Sequence, residues 1–330
     1  MPVTARYQNE NYKAKKIVAD SPARGSARDT HQKLINTIIM QYNRRRFVKN
    51  IALAGSGVFL STYLPSCKTA NTAKAINQNF GLQLYTLRDV LPKDPKAILT
   101  QVASFGYKQI ESYEGDKGMF WGMTNTEFKK LMDDLGMKIV SSHCDINKDF
   151  ERKAAEAAAI GMKYLIAPYI GPQKTLDDYK RFADTFNQRG EVCKKAGIRF
   201  AYHNHDYTFK QFEGQFPQDI LMQGTNKDTV DYEMDIYWVV AAGQDPEVWT
   251  KKYPDRFRLG HVKDRKKGAA ITDMDASVVL GTGSIDFSSV LKTSMQNGML
   301  YYIVEQEAYQ GTTPLAAAKE DATYLKNLKV

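Results

Sequence analysis

At 330 residues the chain has room for two average domains or for one (β/α)8 barrel of ~250 residues, so length alone leaves the fold open. With 43% hydrophobic and 25% charged residues, the composition provides for a large core and excludes collagen-like and prion-like chains. The net charge of +9 would suit a polyanionic partner, but residues 1–67 carry eleven Lys and Arg against three acids. Residues 68–330 are left at about +1, which is no electrostatic footprint for nucleic acid. Cys67, Cys144 and Cys193 lie far apart without CxxC spacing, so neither a zinc knuckle nor a disulfide framework is expected.

The basic residues belong to a leader. Asn43-Arg44-Arg45-Arg46-Phe47-Val48-Lys49 precedes an apolar run from Ile51 to Leu64, and together they resemble a twin-arginine export signal. That run is short for a membrane span of ~20 residues. Leu64-Pro65-Ser66-Cys67 resembles a lipobox, with proline in place of the usual small residue, which implies a lipid anchor at Cys67. The expectation is an exported protein, periplasmic or membrane-anchored; an uncleaved anchor helix is the alternative. Residues 1–39 read as a non-native or disordered extension before a start at Met40, 40–67 as the signal, 68–79 as a linker and 80–330 as the catalytic domain.

From Phe80 onward, short apolar runs alternate with helical patterns. The pattern predicts a strand over Phe80–Leu87, a helix over Pro95–Phe105 stopped by Gly106, and a strand over Lys108–Tyr113. A helix over Thr126–Leu135 ends at Gly136 before a strand over Lys138–His143. An alanine-rich helix over Phe150–Ile160 precedes a strand over Tyr164–Ala167, and a long helix over Leu176–Lys195 precedes one over Arg199–His203. Strands are predicted over Val230–Asp235, Arg258–Val262 and Tyr301–Glu305, with helices over Pro246–Tyr253, Phe287–Gln296 and Pro314–Asn327. Eight repeating units predict a closed (β/α)8 TIM barrel rather than an open dinucleotide-binding sheet, and neither GxGxxG after the first strand nor GxxxxGK[ST] is present.

Outside the leader the chain has four histidines, His143, His203, His205 and His261, each at or just beyond the end of a predicted strand. In a barrel those ends form one face, so the four converge. Asp235 and Glu305 also end strands, where a buried carboxylate needs a partner. A divalent cation satisfies both groups, and mixed imidazole and carboxylate ligands suit Mn first, with Co, Fe, Ni, Zn or Mg as alternatives. The candidate ligands are therefore these histidines with Asp235 and Glu305, the fifth strand offering either His203 or His205. Glu305, His205 and Glu111 are candidates for proton transfer, and His143 for proton transfer or hydroxyl binding. Trp238 is a candidate to stack on a sugar face or to fill the core. Lys263 and Arg265 are candidates to orient substrate oxygens or a phosphate, or form a solvated basic loop with Lys266 and Lys267.

Four segments carry a family resemblance: Tyr202-His203-Asn204-His205-Asp206, Gly260-His261-Val262-Lys263-Asp264, Gly281-Thr282-Gly283-Ser284-Ile285-Asp286-Phe287 and Ile303-Val304-Glu305. These are similar to the xylose-isomerase-like TIM barrels, which include sugar isomerases, 3-epimerases, inosose dehydratases, lyases of 3-keto-glycosides and the DNA-repair enzyme endonuclease IV. The resemblance implies a metal held by Glu, Asp, His and Glu from strands five to eight. Asp235, His261 and Glu305 match that pattern; His203 stands where the first glutamate is expected, removing one of the carboxylates that epimerases use as an acid and base pair. Trp238 stands where they carry a substrate-binding histidine. Endonuclease IV needs many more ligands and a basic surface, so a nuclease is not expected.

The implied chemistry is proton abstraction next to a carbonyl in a sugar or glycoside, with a divalent ion stabilising the enediolate charge. The leading expectation is a sugar isomerase or epimerase. A lyase that eliminates the aglycone of a 3-keto-glycoside is the alternative, and a non-catalytic sugar-binding lipoprotein the second. An oligomer is compatible with either.

Overall fold

A computed structural model describes residues 79–330; the leader, the lipobox-like end at Cys67 and most of the linker lie outside the described residues. Eight parallel strands close into a barrel: β1 (Phe80–Gln83), β2 (Gln109–Tyr113), β3 (Lys138–His143), β4 (Tyr164–Ala167), β5 (Arg199–His203), β6 (Val230–Asp235), β7 (Phe257–Val262) and β8 (Tyr301–Val304). Each pairs with its chain neighbours, and β8 closes on β1 through the register Phe80 with Tyr302 and Leu82 with Val304. The expected (β/α)8 barrel is the fold.

Helices α1 (Pro95–Phe105), α2 (Asn125–Asp134), α3 (Phe150–Ala159), α4 (Leu176–Ala196), α5 (Pro217–Gly224), α6 (Ile236–Ala241), α7 (Pro246–Lys252), α8 (Phe287–Gln296) and α9 (Pro314–Asn327) surround it. Side-chain caps set their starts. Asp94 accepts from the Ala97 N–H with Pro95 at the first helical position, and Thr124 and Glu127 cap α2 reciprocally. Such caps contribute about 1 kcal/mol each. Gly106 ends α1 at φ 99°, a left-handed conformation that favours glycine.

Most element ends differ from the sequence reading by at most a residue, and two strand ends differ for a stated reason. The first strand stops at Gln83 because its side chain accepts the Tyr85 N–H and turns Leu84–Leu87 into a 3-10 helix. The last strand stops at Val304, leaving Glu305 as the first residue beyond it. The fifth helix had no clear apolar period; it is α5, eight residues opened by Pro217. A short ribbon, Asp264–Arg265 against Ser277–Val278, and the helix α6 also went unread.

The barrel interior is layered. Tyr164, Ile166, Ala201 and Leu259 form an apolar cluster, whereas the outer strand faces and helices share the large core containing Phe80, Phe128, Phe186 and Phe257. On β6, Asp231, Glu233 and Asp235 alternate with Val230, Tyr232 and Met234, all buried. With the period of two of a strand, one set shares a face with the barrel axis and the other with the helices. Cys144 and Cys193 are buried and unbridged.

Candidate metal centre

The C-terminal strand ends bring together His203 from β5, Asp235 from β6, His261 from β7 and Glu305 just past β8, each offering a ligand atom within 4.8 Å of the others. His203 Nε2 lies 3.5 Å from Asp235 Oδ2; His261 Nδ1 lies 3.7 Å from that oxygen and 3.3 Å from Glu305 Oε2. Four tetrahedral donors at ~2.1 Å from one ion are about 3.4 Å apart, so this spacing fits. His203 Nε2, Asp235 Oδ2 and His261 Nδ1 are buried without a hydrogen-bond partner, an arrangement that is costly unless a cation receives them.

In His203, Asp235 and His261 the other polar atom is committed. His203 Nδ1 bonds the Pro168 carbonyl at 3.1 Å and His261 Nε2 bonds Glu111 Oε1 at 2.7 Å, which leaves the opposite ring nitrogen of each as a lone pair facing the centre. Asp235 Oδ1 accepts the Trp238 N–H at 3.0 Å, while Asn204 clamps the Asp235 backbone through both its N–H and C=O. Of the two fifth-strand histidines, His203 is the one whose ring nitrogen joins this cluster.

Lys263 is fully buried, and its Nζ lies 3.3 Å from Glu305 Oε2, 3.7 Å from Asp235 Oδ2 and in contact with Glu307. It also sits 5.0 Å from the ring centres of Tyr237 and Trp238. Burial works against its charge, but Glu307, Glu305 and Asp235 outweigh that and hold its pKa above the ordinary lysine value. Burial likewise opposes ionisation of Asp235 and Glu305, yet Lys263 and the neighbouring histidines bring both well below the usual carboxylate range. Three carboxylates against one ammonium leave a negative excess that a divalent cation balances.

Beneath the centre lies a second buried group, Glu111, His143, Glu233 and His261. His143 Nε2 is 2.8 Å from Glu233 Oε2 and 3.2 Å from Glu111 Oε1. Contacts of 2.7 and 2.8 Å are hydrogen-bond lengths, so this group shares protons rather than a second ion. Burial opposes charge on His143, but Glu111 and Glu233 raise its pKa to about 9. Glu233 was missed in the sequence, where strand ends alone were weighed; its signal was the alternation of acids along Val230–Asp235.

Several expected roles change. Glu111 is fully buried and accepts from Gln83, Ser141 and His261, so it acts through His261 and does not face substrate. Arg265 is no part of a solvated loop: it is buried and bonds the Tyr237 hydroxyl and the carbonyls of Ala270 and Asp273, bracing residues 270–276. Trp238 is 8% exposed and packs on His205 at 5.4 Å, positioning more than presenting a face. His205 is half-buried at the rim, edge-on to Tyr169 at 4.9 Å, with Nδ1 unpartnered. Burial above all holds its pKa well below the ordinary histidine value.

A closed parallel barrel with a buried two-imidazole, two-carboxylate cluster at its C-terminal face defines a metal-competent TIM barrel. The family described as xylose isomerase-like TIM barrel matches residues 99–328, and the chain belongs to it. It is 32% identical to a sugar phosphate isomerase/epimerase from Parabacteroides distasonis, covering 76% of this chain and 98% of that one with a TM-score of 0.66. A second such structure from the same organism is 28% identical, covering 80% and 99%, also at 0.66. An inosose dehydratase from Clostridium perfringens is 30% identical over 164 residues, 46% of this chain and 54% of that protein. The chain thus spans about half the length of the curated relatives it matches.

Proposed function

We propose that the protein is a metal-dependent carbohydrate enzyme that removes a proton next to a carbonyl, isomerisation being the leading reaction. The observation that carries this reading is the convergence of His203, Asp235, His261 and Glu305 on one point with three unsatisfied donor atoms. A first-row divalent ion bound there supplies Lewis-acid stabilisation of developing negative charge; nothing in the donor set selects manganese among such ions. His203, Asp235, His261 and Glu305 hold it, with Glu111, Pro168 and Asn204 fixing their orientation.

His205, half-buried at the rim beside His203, is the base that takes the proton. Glu305 Oε2 faces both Lys263 and the ligand cluster, so it is assigned to the metal and not to the proton. His143 presents its outer edge to a substrate hydroxyl while Nε2 is pinned by Glu233 and Glu111. Lys263 offsets the carboxylate charge.

A single rim base also favours elimination, the second reading, because one imidazole can take the carbon-bound proton and return it to the departing oxygen. Two-base epimerisation has no second free carboxylate at this centre among the described residues. Metal-loaded protein incubated in deuterated water with ketohexoses, an inosose and a 3-keto-glycoside separates these. Deuterium entry with ketose interconversion supports isomerisation and release of an aglycone or water supports elimination, whereas turnover unaffected by EDTA contradicts both. We further propose export and acylation at Cys67; a native N-terminus before residue 40 would contradict this.

A further inference from the structure

We propose that the N-terminal face of the barrel docks on an anionic lipid bilayer, which turns the metal centre away from the membrane; this rests on the export and acylation proposed above and not on the reaction. The two ends of the barrel differ in charge. Counting each connection with the two strand residues beside it, the helix-to-strand side holds seven Lys and Arg against three acids, and the strand-to-helix side ten against sixteen. A domain that is nearly neutral as a whole is therefore basic at one end and acidic at the other, and a negative surface potential orients such a body basic end first.

Lys108, Lys138, Lys163 and Lys227 carry the excess. All four are exposed and form no ion pair among the described residues. They stand three or four residues past the ends of α1, α2, α3 and α5, beyond the last turn where a helix dipole favours cations, so the helix ends alone do not account for them. The arginines of this face are committed within the protein. Arg199 pairs with Asp231 and bonds the carbonyls of Asp228 and Lys227 at 2.8 and 3.0 Å, which braces the turn that carries Lys227, and Arg258 bonds Asp255 at 2.9 Å.

Lys163 and Lys227 line an open depression of about 620 Å³ together with Leu300 and Tyr301. Leu300 is 53% exposed, and Tyr301 is half-buried with its ring edge-on to Tyr164 at 5.9 Å. A free ammonium beside an exposed leucine and a tyrosine matches a lipid headgroup region, where phosphate and apolar chain are both within reach. The course of the chain points to the same occupant. All strands run parallel and β1 begins at Phe80, so the chain from Cys67 joins the barrel on this face. Residues 68–79 can span at most about 40 Å, and an acyl group on Cys67 thus holds the basic face at high effective concentration over lipid.

The test uses the full chain on vesicles of phosphatidylcholine alone or with one-third phosphatidylglycerol. An impermeant acetylating ester marks exposed lysines, and mass spectrometry reads each one. Lys108, Lys138, Lys163 and Lys227 are expected to lose labelling about fivefold on the anionic vesicles only and to regain it in high salt. Lys148, Lys174, Lys266 and Lys267, exposed on the catalytic face, keep theirs. In the variant Lys108→Gln, Lys138→Gln, Lys163→Gln, Lys227→Gln, the neighbouring Lys194 and Lys195 at the end of α4 lose the protection they share in the parent. The variant Lys148→Gln, Lys174→Gln, Lys266→Gln, Lys267→Gln removes equal charge and leaves the footprint intact; the basic leader is common to every sample. Equal protection on neutral vesicles, a footprint on the catalytic face, protection that the first variant keeps, or the same protection from inorganic phosphate or a DNA duplex without vesicles would overturn the proposal. Native protein without a lipid on Cys67 would remove the anchor alone, and the footprint still decides the face.

Discussion

Glu111→Gln isolates the charge behind a metal ligand. Glu111 Oε1 accepts from Gln83 Nε2 and His261 Nε2 at 2.7 Å each, and Oε2 accepts from the Ser141 hydroxyl at 2.6 Å. A glutamine can place its oxygen at the first position and its amide N–H towards Ser141, whose hydroxyl then accepts, so shape and hydrogen-bond count are kept. What changes is the His261 bond, from charge-assisted to neutral, which weakens it by about 1–2 kcal/mol. A less polarised imidazole is a poorer ligand, and changes of this kind cost 10–100-fold in metal affinity, about 1.4–2.7 kcal/mol. Competition of dialysed protein against a calibrated chelator for Zn²⁺ and Mn²⁺ measures it directly. Affinity within twofold of the parent would refute the claim that Glu111 works through His261. Glu111→Ala differs: it strands three buried donors and is expected to lower thermal stability as well.

Other outcomes follow from particular contacts. His205→Asn is expected to keep metal stoichiometry, because His203 and not His205 joins the four-residue cluster, while proton exchange falls by about 10²–10⁴-fold; metal loss would make His205 a ligand. Asp321 is 1% exposed, one oxygen accepting the Leu280 N–H and the other without a partner. Burial, outweighing that hydrogen bond, pushes its pKa up to about 8. Unfolded aspartate releases its proton near about 3.9, so the folded chain binds more protons between these values. Stability therefore falls as pH rises through that window, by at most about 1.4 kcal/mol per unit from this group, and levels off above it. Asp321→Asn keeps an acceptor for Leu280 and should flatten the slope in denaturant titrations from pH 5 to 8; an unchanged slope would contradict this. At Gly283 an added Cβ would meet Asp264 Oδ1 at 2.2 Å, where Asp264 gathers the N–H groups of Gly281, Gly283 and Ile285. Gly283→Ala is expected to cost about 1–3 kcal/mol in a melting experiment.

The barrel was legible because its signals are local: strand runs such as Tyr164–Ala167 and glycine stops such as Gly106. Boundaries failed where a side chain turned the backbone, as Gln83 does, a contact that apolar period does not encode. Helix α5 went unread, although the shorter α7 was read. The clustering of His203, Asp235, His261 and Glu305 was legible because strand ends share one face in a barrel. The acids of the inner layer were harder: Glu111 was noticed but its direction was not, and Glu233 required following alternation inward from Asp235. Lys263 and Arg265 resembled a basic loop with Lys266 and Lys267, and only the fold shows the first two turned inward.

The central claim is tested most directly by metal content. Protein purified without added metal, stripped, then titrated with Zn²⁺ or Mn²⁺ and measured by elemental analysis after gel filtration should hold about one ion per chain. Asp235→Asn combined with His261→Gln should reduce this to background while circular dichroism keeps the barrel signal. An intact protein that retains no ion, or a double variant that binds as the parent does, would contradict the account.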